Sequence, residues 1–137
     1  MSKWSHVAGV VRYDMFFLGT PINEPEFKTC KFGDNEKKWT ECNVPCGSEG
    51  SLTVGKTDVY RNDTQAFVTY SFSGDLRDYS YEDDHEELEK WMQSLILEKG
   101  LMIIRQAVFQ VHYEDREGLV TYQYDQDSNR FIAGELK

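Results

Sequence analysis

The sequence predicts an α+β domain: a single antiparallel sheet with helices on one face, in ferredoxin-like βαββαβ order with one extra strand at the C-terminal end. Three observations carry that expectation. Five separate runs are rich in apolar, β-branched and aromatic residues, with alternation along them. Two of these runs are joined by the short turn "RND". A single long helical stripe follows them at residues 84–99. With 137 residues, 39% hydrophobic and 14% aromatic, the chain suits one domain whose core needs neither disulfides nor metal as staples.

Residues 4–13, "WSHVAGVVRY", alternate and carry three valines, which predicts a first strand with Gly9 permitting a close approach or a bulge. In "NEPEFKTCKFG", Asn23 is placed as N-cap, Pro25 lies in the first turn and Gly33 terminates. That arrangement predicts a short helix at 24–32. Residues 33–50 read as a polar loop anchored by Trp39. The runs "SLTVGKTDVY" and "TQAFVTYSFS" flank the turn and pair as a hairpin. In the second, Ala66, Val68, Tyr70 and Phe72 share one face.

The helix in "DHEELEKWMQSLILEKG" is assigned Asp84 as N-cap, Glu87 three residues on and Gly100 as its stop. Its apolar stripe is Leu88, Trp91, Met92, Leu95 and Ile96. Residues 101–113 form a strand with Ala107, Phe109, Val111 and Tyr113 on one face and Gln106, Gln110 and His112 on the other. "DREG" turns into a fifth strand, "LVTYQYD". One face of the sheet then bears the helices, and the opposite, polar face stays open.

Twenty-four acidic against fifteen basic side chains leave a formal net charge of −9. A nucleic-acid backbone or an anionic membrane surface requires the opposite field, so direct binding to either is not expected. There is no arginine-rich presequence, no apolar leader and no run long enough to span a bilayer, which points to the cytoplasm. Cys30, Cys42 and Cys46 are odd in number and supply one closely spaced pair without an evident fourth ligand, so free thiols are expected rather than zinc. No cofactor is implied. The six carboxylates between Glu82 and Glu89 suit a helix entry, with an acidic surface for a basic partner as the alternative.

"VPCGSEGSL", residues 44–52, resembles an anion-binding loop, but it opens a strand rather than a helix and lacks the Gly-Lys-Ser/Thr ending of a phosphate loop. Its interest comes from pairing. A hairpin turn near residues 61–64 pairs positions summing to about 125 and sets "GSEG" beside "GDLRD". Ser48, Glu49, Asp75, Arg77 and Asp78 would then share a rim with His6 and His112 from the first and fourth strands. His6 opposite His112 places position 12 against 106, so Arg12 and Arg105 form a second candidate group for a carboxylate or phosphate. Their alternative role is pairing with the chain's own acids.

"WSHVAGVVRYD", "GSEGSL", "SGDLRDY" and "IRQAVFQV" together resemble a family of small uncharacterised proteins encoded by phages and prophages. The resemblance spans most of the chain and is loose over residues 15–46. It implies no catalytic residues, only a setting: an accessory or anti-defence protein in a host cytoplasm.

The expected function is therefore a non-enzymatic binding module that holds a host protein or a small nucleotide signal through the rim or the open face. A small hydrolase acting on a nucleotide or phosphodiester with His6 or His112 as acid/base is the alternative from another class. A homo-oligomeric structural protein joined through the sheet is a third.

Overall fold

Alternation over thirteen residues makes β1 (Trp4–Phe16), and the remaining strands assemble on both of its sides. The computed structural model describes residues 2–17, 24–29, 43–48, 50–97 and 102–136. After β1 come β2 (Thr53–Arg61), β3 (Gln65–Arg77), the helix α1 (Tyr81–Ser94), β4 (Met102–Tyr113), β5 (Leu119–Asp125) and β6 (Arg130–Leu136). They form one six-stranded sheet in the order β2-β3-β1-β4-β5-β6, antiparallel at every pairing. No helix among the described residues is long and apolar enough to cross a membrane.

This corrects the expected ferredoxin-like α+β arrangement. The molecule is mainly sheet with one helix, because two of the expected features are replaced. Residues 24–29 carry no helix. Asn43 occupies the backbone of this segment instead: its side chain accepts from the Lys28 amide (2.6 Å) and donates to the Glu26 carbonyl (2.7 Å), and its own amide donates to Lys28. Phe27 packs edge-on against Tyr70 and Phe72 at 5.1 Å, which rewards an extended path along the sheet over a helical one.

The second replacement is β6, which the sequence reading left unassigned. Asp125 accepts from the amide and hydroxyl of Ser128 and Asn129 takes a left-handed backbone, φ 52°, so "DQDSN" is a tight turn. α1 secures the new strand, because Gln93 donates to the Phe131 carbonyl (3.1 Å) and accepts from its amide (3.2 Å).

α1 also begins earlier than its acidic run suggests. Ser80, not Asp84, is the N-cap: its hydroxyl accepts from the Asp83 amide at 3.1 Å, while Asp84 accepts from the Ser80 amide at 2.8 Å. Asp115 takes the Tyr81 and Glu82 amides, so the orphan donors of the first turn are met by three side chains. The helix ends at Ser94, where the Tyr13 hydroxyl donates to the Leu95 carbonyl at 2.6 Å. Its expected stop, Gly100, lies outside the described residues.

The stripe Leu88, Met92 and Leu95 is buried against Val11, Phe72, Phe109 and Val111. Each fully buried side chain of this size is worth roughly 1.5–3 kcal/mol. Gly9 sits in this layer because the Phe109 ring lies over it: a Cβ there would meet the ring at 2.2 Å. That is the close approach its sequence position suggested.

Candidate functional site

The rim around "GSEG" forms, with the hairpin pairing at sums of 126 and, past a bulge, 127. Ser48 donates its amide to the Arg77 carbonyl at 2.8 Å and its hydroxyl to Asp78 at 2.7 Å. That hydroxyl, ahead of Arg77 and the N-terminus, holds the Asp78 carboxyl below its usual value. Asp78 itself takes a left-handed φ of 56°. Gly47 is pressed onto the Arg77 backbone, where a Cβ would lie 2.4 Å from the carbonyl oxygen. Arg77 donates to the Ser2 hydroxyl at 3.1 Å. These contacts turn the chain and start β2 and leave little for a ligand. Glu49 lies outside the described residues.

His6 and Asp75 do converge, but on the sheet face rather than with Ser48. His6 stands opposite both Asp75 and His112. Its Nδ1 lies 2.6 Å from Asp75 and its Nε2 lies 3.2 Å from Glu114, and its ring stacks on His112 at 5.7 Å. The bond to Asp75 is the main cause that raises the His6 pKa above 6.5; burial opposes it, and the bond to Glu114 adds to the rise. Both ring nitrogens of His6 are engaged by carboxylates, which leaves neither open toward a substrate. Glu114 was missed in the sequence. It stands across from Trp4, to whose carbonyl its amide donates, two residues beyond the His6–His112 pair, so the same pairing rule could have found it.

Arg12 faces Gln106, as pairing required, and a bulge at this point leaves Arg105 and Gln106 both exposed. Arg12 is not free for a ligand: its Nε donates to Asp14 at 3.2 Å and its guanidinium lies over Phe67 at 5.1 Å. Arg105 lines an open groove of about 640 Å³ with Val108, Gln123, Asp125 and Asp127. Of the cysteines, Cys46 is half-buried and its thiol donates to the Val44 carbonyl; Cys30 and Cys42 lie outside the described residues. Among the described residues, no three His, Cys, Asp or Glu side chains are grouped to hold a metal ion.

No family model, curated protein or solved structure matches the chain. The phage setting therefore rests on the sequence resemblance alone, and the site must be judged from its own geometry.

That geometry singles out the face of the sheet opposite α1. On β1 it is built by the even-numbered residues Trp4 to Asp14, and the register carries the same side to Thr69, Ser71 and Ser73 of β3 and to Val108 and Gln110 of β4. Neither α1 nor residues 24–29 touch it. It is not the uniformly polar surface expected from sequence. Seven large apolar residues are exposed among the described residues, and five of them, Val10, Tyr60, Ile103, Val108 and Ile132, belong to this face.

Proposed function

We propose that the protein is a non-enzymatic binding module whose docking surface is the bare face of the sheet, and that its partner is a protein. The observation that carries this is the gathering of exposed apolar side chains on a face that no described segment of the chain covers. An antiparallel sheet tolerates one solvated face, but such a face is ordinarily polar, and contiguous exposed apolar surface marks interaction sites.

The shape favours a protein over a small nucleotide. Small ligands occupy concave, largely enclosed sites. The groove beside Arg105 is open, and its one arginine sits among Asp125 and Asp127, a mixed field poorly suited to a polyphosphate. The resemblance to phage-encoded proteins makes a host protein one destination for such a face.

The test is differential capture with the purified chain as bait. A protein retained by the wild type should be lost on Val108→Arg and kept on the double change Glu86→Lys and Glu89→Lys, which alters the helix side. The reverse pattern would move the function to the acidic helix and sink the reading.

A further inference from the structure

We infer that the occupant of the bare face is a second copy of this chain, packed sheet against sheet. The inference rests on the docking reading above and adds the identity of the partner.

Charge is the first argument. The chain carries −9 overall, so a surface that repeated this excess would repel its own copy. The bare face does not repeat it. Its ionised groups are Asp14, Asp75, Glu114, Asp125 and Asp127 against Arg12, Arg77, Arg105 and Arg130, placed there by the strand register, by the bond from Glu114 to His6 and by the groove beside Arg105. Five acids face four arginines, a near balance against the −9 of the whole chain. The acidic excess lies elsewhere, much of it on α1, which carries Glu82, Asp83, Asp84, Glu86, Glu87 and Glu89. A basic partner drawn by the net charge would seat on α1, whereas a nearly neutral face of mixed sign fits another nearly neutral face of mixed sign.

Composition is the second argument. Interface patches favour arginine and aromatic residues and disfavour lysine. Each positive side chain named on the face is arginine. The described lysines lie off it: Lys56 pairs with Glu24 on the helix side, Lys90 is on α1, Lys28 belongs to the segment beside Asn43, and Lys3 lies one residue before β1, out of phase with Trp4. The aromatic residues Tyr60 and Phe67 pack against each other, rings tilted and 5.7 Å apart, at one margin.

Area and relief are the third. Six strands about 4.8 Å apart and seven to thirteen residues long present on the order of 800 Å², the per-partner size of a standard stable interface. The middle rows carry Ala8, Ser71, Ser73 and Thr121 beside Val10 and Val108, with the uncharged Gln110 and Gln123 as the longer side chains among them, a relief compatible with the roughly 10 Å spacing of a β-sandwich.

Sedimentation equilibrium of the intact chain from about 1 µM to about 500 µM reads the outcome. The expected result is a weight-average mass rising from 16.0 kDa toward twice that value. Val108→Arg should weaken the dimer roughly 30-fold or more while its melting temperature holds, and Glu86→Lys should leave it intact. A wild type that stays monomeric throughout overturns the second copy; the docking reading then survives if Val108→Arg still abolishes capture of another protein. A dimer equally strong in folded Val108→Arg overturns both readings for this face.

Discussion

The two faces of the sheet are built from the same strands, yet they follow different rules. Toward α1, β1, β3 and β4 present Val11, Tyr13, Tyr70, Phe72, Phe109 and Val111, all buried. One residue away along each strand, the other face presents Ala8, Val10, Ser71, Ser73, Val108 and Gln110, all exposed. Large rings and buried valines define the first, and small, polar and exposed apolar side chains with nearly balanced charge define the second. The difference separates residues that hold the fold from residues that the fold displays.

Paired substitutions on adjacent residues give the sharpest break. Phe109→Ala should cost about 3–5 kcal/mol, because its ring fills the space over Gly9 and touches Phe72 and Trp91. Val108→Arg, the next residue on the opposite face, should change stability by less than about 0.5 kcal/mol. Urea midpoints of the two variants check this, and a large loss at Val108 would mean that the bare face is part of the core.

Ser80→Ala tests how firmly the helix is fixed to its side of the sheet. Loss of the N-cap should cost about 1 kcal/mol, read as a lower urea midpoint with an unchanged slope. No loss would show that Asp84 and Asp115 satisfy the first turn without Ser80.

The smallest effect belongs to His6 on the exposed side. Its pKa is raised above 6.5 in the folded chain, first by Asp75, so its contribution is fully present below about pH 6.5 and is lost as pH rises through the folded value. The difference in stability between wild type and His6→Gln should therefore narrow from about pH 6 to about pH 9. The side chains are well exposed, and solvent screening keeps the effect small. A gap that widens with pH would show that His6 is held neutral.

Much of this was legible because it is periodic. Alternation located β1, β3, β4 and β5 and assigned Ala107, Phe109, Val111 and Tyr113 to the buried side. A spacing of three and four residues located the stripe of α1, and the "RND" turn set the hairpin to within one or two residues of its register. The expected antiparallel pairing of the first and fourth strands placed His6 against His112.

What escaped was decided laterally. Asn23, Pro25 and Gly33 have helix-start and helix-stop chemistry, yet Phe27 gains more from the rings of Tyr70 and Phe72, and Asn43 supplies the hydrogen bonds that a helix would have made. β6 is short and needs Gln93 and Phe109 beside it to be worth forming. Ser48, Asp78 and Arg77 looked available in sequence and proved to be engaged with one another's loops and with Ser2.

The chain by itself thus determined which residues turn inward, because side-chain direction follows the local repeat of strand and helix. Only the tertiary structure decided which outward residues stand together. Val10, Val108 and Ile132 are far apart in sequence and fall in one row, with Gln123 between the last two, through three successive pairings across β1, β4, β5 and β6, and such rows are fixed by long-range pairing that no local repeat encodes.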